Sequence, residues 1–164
     1  MPKIQKYFYL QYYIKNVLLG YGSAKLIPLI IKIPFIFSSP DSRIFHLLLI
    51  EEPEANLHPK LQSKLAELFM VAYKKYPLMF LIETHSEYLI RKLQYLTAEK
   101  AINTEDIRIY YLNDSKNVAE KEEQVKEIKI LEDGSLSEEF GPGFFDETIN
   151  LKLELLKLKN LQKN

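Results

Sequence analysis

The chain has 164 residues, 47% apolar and 27% charged, which fits one folded domain of ordinary size and not a disordered polymer. Its 22 Lys and Arg balance 22 Asp and Glu, so no overall field draws in nucleic acid or an anionic membrane, and with no cysteine it has no disulfide, cysteine nucleophile or Cys-type zinc site. The longest apolar stretch, residues 26–37, is broken by Pro28, Lys32 and Pro34 and is too short to span a bilayer, and the N-terminus lacks a signal-peptide pattern; a cytoplasmic location is expected.

The balance conceals a split. Residues 1–50 carry six basic and one acidic side chain, whereas residues 97–147 carry six basic and fourteen acidic ones. Acidic loops around a solvated sheet edge account for this better than a dedicated surface for a basic partner does. Tyr7, Phe8, Tyr9, Tyr12 and Tyr13 lie in a β-prone run, suited to sheet packing or to stacking on bases. Residues 44–50 form a continuous apolar run containing His46, which predicts a strand buried on both faces. From Pro59, Leu61, Leu65, Leu68, Ala72 and Tyr76 recur at helical spacing, and Pro77 stops the pattern, predicting a helix of about five turns. Residues 78–82 form a second buried-strand run. It ends in Glu83, Thr84 and His85, after which Leu89, Leu93 and Leu96 mark another helix, with Thr84 and Glu87 spaced as a capping box. A third strand is expected over residues 107–112. Alternating strands and helices imply an α/β fold with a parallel sheet and right-handed crossovers. Beyond it, residues 120–127 are charge-rich, residues 125–131 alternate and meet Asp133-Gly134, a hairpin signal. The leucine-rich tail over residues 149–161 is expected to be helical, although Leu151, Leu153 and Leu155 also alternate as a strand would.

The string LLLIEEPEANLHP, residues 47–59, carries the chemistry. A buried strand ending in paired carboxylates places those charges at the carboxyl edge of the sheet, where ligands of parallel α/β folds sit. There one carboxylate, Glu51, can hold a hydrated Mg²⁺, and its neighbour Glu52 can orient or deprotonate a water for attack on a phosphoryl group. The alternative is that both glutamates open a solvated loop. Adjacent strands would bring His85 beside the pair, where a neutral imidazole can sense a terminal phosphate. His46 reads as a core histidine, His58 as a helix start or a contact residue, and Glu54 as a loop charge or a modifier of the metal site. A zinc site of His46, His58 and His85 lacks short ligand spacing. Phe144 and Phe145 read as anchors for the C-terminal segment.

Several strings together resemble a known family, the ABC-type ATPases related to the overcoming-lysogenisation-defect (OLD) proteins, in particular a bacterial group ending in a short uncharacterised domain. LLLIEEPEANLHP resembles the family's Walker B strand and D-loop, and FLIETHSEYLIRKL, residues 80–93, its switch-histidine segment. LGYGSAKLIPLI, residues 19–30, is similar to the signature segment, and residues 128–134 followed by GPGFFDE resemble the end of the bacterial group. The resemblance implies a P-loop NTPase-like, ABC-type parallel sheet flanked by helices, with residues 1–115 as the later part of the ATPase head and residues 116–164 as a small extension packed on it. It makes Glu51 the metal-side carboxylate, Glu52 the water-activating one, and His85 a contact to the γ-phosphate. It puts Asn56 and His58 at a dimer contact and Gly20, Gly22 and Ser23 against the ATP of an opposite head.

Two departures qualify what is implied. The sequence contains no Gly-Lys dipeptide and therefore no G-x-x-x-x-G-K-[ST] phosphate loop. A head incomplete at its N-terminus is expected, from a truncated gene product or one piece of a split enzyme, with ATP and Mg²⁺ used only when a P-loop-containing N-terminal half or homologous head is supplied, as in a head-to-tail dimer. Ala24 and Lys25 stand where the family's signature usually offers serine and glutamine. The resemblance suggests bacterial defence against phage or another DNA-linked use of ATP, with the effector unidentified. A non-catalytic interaction module and a Mg²⁺-dependent nuclease built on Glu51, Glu52 and Glu54 are the competing readings.

Overall fold

The computed structural model describes Pro28, Ile31, Ile33 and residues 46–113, 124–141 and 143–161. The described chain is mixed α and β and divides into two compact units at Leu93 and Gln94. Apart from Pro28, the expected signature segment lies outside the described residues, as do the N-terminal aromatic run and residues 44 and 45 of the first predicted strand.

In the first unit, β1 (His46–Glu51) pairs in parallel with β2 (Leu78–Glu83), with Leu48 opposite Phe80 and Glu51 opposite Glu83. The crossover between them is α1 (Pro59–Lys75). Its start is set by Pro59, whose fixed φ suits a first helical turn, and by His58, whose Nδ1 accepts the Lys60 N–H at 3.3 Å. Its end is set by Tyr76, held extended before Pro77, while Lys74 and Lys75 occupy the last turn, where the helix dipole favours cations. Leu65, Ala66, Leu68, Phe69 and Ala72 are its buried stripe. Phe69 meets Phe80 at a centroid distance of 5.0 Å, and Ile33, Ala72 and Leu78 form a buried cluster flanked by Leu48, Tyr76 and Phe80. Each large side chain so buried contributes about 1.5–3 kcal/mol.

Among the described residues, only one face of this sheet is covered. Leu47, Leu49, Met79 and Leu81, on the other parity, are 50–71% exposed, so the expectation of strands buried on both faces fails here. The physical reason is that an apolar run records what a strand is able to bury, whereas burial requires a second layer, and α1 supplies one.

On α1, Glu67 lies between Lys64 at 2.8 Å and Lys92 at 2.9 Å. Burial alone would raise its carboxyl group, but the hydrogen bonds and charges of the two lysines together outweigh that and hold it below the usual carboxylate range.

The boundary between the units falls within α2 (Glu87–Ala98). The second unit continues through a short 3₁₀ turn (Thr104–Asp106) to β3 (Ile109–Leu112), β4 (Val125–Ile128) and α3 (Glu147–Leu161). Here a second expectation is corrected: β3 does not join the parallel sheet but pairs antiparallel with β4, Ile109 opposite Ile128 and Leu112 opposite Val125. Strand order in sequence cannot reveal which edge a four-residue strand will choose. The predicted hairpin is present as an antiparallel bridge between Ile130 and Leu136 around Gly134, whose φ of 82° is left-handed. Hydrogen bonds from the Ser135 hydroxyl and backbone N–H to Asp133 Oδ1 fix this turn and hold the Asp133 carboxyl below its usual range. Tyr111, Phe140, Phe144 and Phe145 form an aromatic cluster, with Phe140 and Phe144 stacked at 4.8 Å. The expected anchoring role of Phe144 and Phe145 corresponds to this packing. Among the described residues no helix is long and apolar enough to cross a membrane.

Candidate functional site

The parallel register sets both strand ends side by side. Glu51 lies opposite Glu83, and the Glu52 N–H extends the ladder by donating to Glu83 O at 2.9 Å. The backbone then leaves the sheet abruptly. Glu52 has φ 41°, a left-handed conformation that is costly for a side chain of this type, and Asn56 has φ 64°, which asparagine tolerates better. Two turn bonds hold this loop: Ala55 N–H to Glu52 O at 3.1 Å and Leu57 N–H to Glu54 O at 2.9 Å.

The loop alternates between inside and outside. Glu51, Glu52, Asn56 and His58 are exposed, whereas Pro53, Glu54 and Leu57 are buried. The Glu52 carboxylate turns toward the end of β2, with Oε1 3.8 Å from His85 Nε2, and both side chains are more than half exposed. This is too long for a hydrogen bond, but it places an acid and an imidazole across an open gap at the carboxyl edge of two parallel strands. The predicted juxtaposition of Glu52 and His85 is therefore present in the geometry.

Glu54 holds that gap in place. It is only 7% exposed, and its Oε1 accepts the His85 backbone N–H at 2.6 Å, so the loop after β1 is bonded to the loop after β2. Its other oxygen, Oε2, is buried and meets no hydrogen-bond partner among the described residues. A second connection runs through α1. The Ser86 hydroxyl donates to Gln62 Oε1 at 2.6 Å, and Gln62 Nε2 donates to Leu57 O at 3.0 Å. Glu54, Gln62 and Ser86 thus position the edge, and sequence reasoning missed all three in that role. Glu54 carried the only available signal, since it follows Pro53 at the strand end; nothing in the spacing marks Gln62.

The capping box proposed from Thr84 and Glu87 is not formed. Ser86 caps α2, its hydroxyl oxygen accepting the Leu89 N–H at 3.2 Å, while Thr84 Oγ1 accepts the Ser86 N–H at 3.1 Å in a local turn. Glu87 instead pairs with Arg91 one turn on, at 3.2 Å. The hydroxyl nearer the helix wins because its oxygen reaches the third helical N–H, the usual N-cap geometry. His58 caps α1, and His46 stands half-buried at the other end of β1, remote in the strand from the acidic tip. Gly20, Gly22 and Ser23 lie outside the described residues.

Among the described residues no group of three His, Asp or Glu side chains is arranged to hold a metal by itself. The exposed carboxylates of Glu51 and Glu52 are nevertheless oxygen donors of the kind that suits a hydrated Mg²⁺, an ion usually held by one or two carboxylates, retained waters and a phosphate. The residues present fit such an ion.

Residues 12–90 match the family model of an AAA ATPase domain, and residues 102–155 match a family described as protein of unknown function (DUF3696). No curated protein and no solved structure gives a match. Residues 12–90 are thus similar to an AAA ATPase domain, which supports an ATPase-type function, and residues 102–155 are similar to the DUF3696 family.

Proposed function

We propose that the AAA-like domain is the Walker B, D-loop and switch-histidine portion of an ABC-type ATPase head of the OLD kind, working with a P-loop supplied by an upstream or partner polypeptide. The observation that carries this reading is the 3.8 Å approach of Glu52 Oε1 and His85 Nε2 at the carboxyl end of paired parallel strands. In the assembled site Glu52 orients the attacking water and accepts its proton, and His85 contacts the terminal phosphate. Glu51 holds the hydration shell of Mg²⁺, which when bound with ATP neutralises charge on the phosphate oxygens. The exposed Asn56 and His58 face a second head in a head-to-tail pair. The OLD resemblance extends the proposal to phage defence or another DNA-linked use of ATP.

The decisive experiment combines the purified chain with a P-loop-containing polypeptide, sought in the reading frames immediately upstream. Phosphate release is expected from the mixture and not from this chain alone, and Glu52→Gln is expected to lower it by about 10²–10⁴-fold. Turnover by this chain alone, or a mixture indifferent to Glu52→Gln, overturns the proposal. The bare apolar face of Leu47, Leu49, Met79 and Leu81 favours one alternative, an interaction module; on that reading the two polypeptides bind without hydrolysis.

A further inference from the structure

The helix α3 leaves every residue from Glu147 to Asn160 exposed, although six of these fourteen are leucine or isoleucine. At 100° per residue these apolar side chains fall on two opposite stripes. One is Ile149, Leu153 and Leu156; the other is Leu151, Leu155 and Leu158, each spaced i, i+4, i+7, and all six are more than half exposed. An exposed stripe does not by itself say what covers it, but the charges beside the second stripe do.

With Leu151 and Leu158 at heptad position d, and Thr148 and Leu155 at a, Glu147 and Glu154 fall at g while Lys152 and Lys159 fall at e. In a parallel pair of helices each g residue faces the e residue five positions further along the other helix. Glu147 then meets the second copy's Lys152, and Glu154 meets the second copy's Lys159, giving four opposite-charge pairs by symmetry. An antiparallel pair sets g against g and e against e, which opposes Glu to Glu and Lys to Lys. The first stripe behaves differently. It is flanked by Lys152 and Lys159 on one side and by Lys157 on the other, so self-pairing through it brings lysines together. Charge therefore selects one seam, one orientation and one kind of partner.

We propose that α3 is a self-association element, pairing with α3 of a second copy as a parallel two-stranded coiled coil through Thr148, Leu151, Leu155 and Leu158. This surface is independent of the nucleotide reading. At 15 residues the helix offers about two heptads, so the pairing is concentration-dependent and reversible rather than permanent.

Sedimentation equilibrium of the full chain tests it. A monomer–dimer equilibrium is expected, and Leu155→Lys should abolish dimerisation while leaving the circular-dichroism melt of the remainder unchanged. Glu147→Lys with Glu154→Lys should raise the dissociation constant at least about tenfold at low ionic strength, an effect that shrinks in high salt. Lys152→Glu with Lys159→Glu should do the same, and an equimolar mixture of the two double variants should recover dimers, because every pair is again opposite in sign. The chain has no cysteine, so orientation can be read directly. Leu158→Cys should form a disulfide-linked dimer on oxidation, whereas Leu156→Cys on the opposite stripe should not. A chain monomeric up to its solubility limit overturns the proposal. So does a dimer indifferent to the charge reversals, or Leu156→Cys cross-linking as readily as Leu158→Cys.

Discussion

The carboxylate of Glu54 accepts the backbone N–H of His85 at 2.6 Å, a bond between residues 31 positions apart that joins the two loops at the carboxyl edge of the parallel sheet. Because it grips the backbone of His85, the imidazole remains at liberty to face Glu52. Because Glu54 is buried, the bond is sheltered from competing water and is stronger for it.

Removing that carboxylate exposes the consequence. Glu54→Ala leaves the His85 N–H without its acceptor and opens a small cavity, and is expected to cost about 2–4 kcal/mol in denaturant unfolding. Glu54→Gln keeps a carbonyl oxygen in reach of the same N–H and should cost less than half as much. Amide exchange at His85 discriminates: it should accelerate strongly in Glu54→Ala and modestly in Glu54→Gln. Equal exchange rates in wild type and Glu54→Ala would show that the bond does not hold the loop.

The two hydroxyls before α2 should behave unequally. Ser86→Ala removes the cap on the Leu89 N–H and the donor to Gln62 Oε1 together, an expected loss of about 1–3 kcal/mol. Thr84→Ala removes only a local turn acceptor at a half-buried position and should cost about 0.5–1 kcal/mol, less than Ser86→Ala. Thermal melts of the two variants side by side decide whether Ser86 or Thr84 is the true cap.

What could be read from the sequence follows from what period and chemistry encode. The helix between Pro59 and Pro77 and the strand ending at Glu51 were legible because prolines and apolar spacing are local signals, and α1 and β1 end within a residue of their expected limits. The approach of Glu52 to His85 was legible because two adjacent parallel strands that each end in polar groups must bring those groups together. The bare face of Leu47 and Leu49 was not, since an apolar side chain carries no record of the layer above it. Nor was the pairing of β3 with β4, which depends on a choice between edges. Glu54 was half legible: its position at the strand end marked it, but its inward turn follows from the left-handed backbone at Glu52, which no propensity predicts.

Acid should expose the lysine clasp on α1. Lys64 and Lys92 depress the Glu67 carboxyl below its unfolded value of about 4.3, so the native state binds its proton less readily than the unfolded chain does. The stabilisation is therefore fully present above that value and is lost as pH falls through the folded one. Replacing Glu67 with Gln should flatten the acid limb of the stability profile below about pH 4.3 while leaving its slope near neutrality unchanged. Urea titrations at a series of pH values measure the slope, and an acid limb as steep in Glu67→Gln as in wild type would place the responsible carboxylate elsewhere.

Two glycines separate backbone strain from crowding. Gly134 and Gly143 have left-handed φ values of 82° and 85°, so alanine at either is strained by about 1–2 kcal/mol. Around Gly143 an added Cβ meets nothing within 4 Å, and Gly143→Ala should cost that strain alone. At Gly134 the same carbon would lie 2.7 Å from the Gln94 carbonyl oxygen and 3.0 Å from Ala98 Cβ, against the last turns of α2. The Gly134 carbonyl also accepts the Gln94 Nε2–H at 2.7 Å, so the turn cannot withdraw without losing that bond. Gly134→Ala should therefore cost at least about 1–3 kcal/mol more than Gly143→Ala, the difference being overpacking rather than φ. Equal melting temperatures for the two variants would mean that the hairpin turn is not seated against α2, and that strain alone governs both positions.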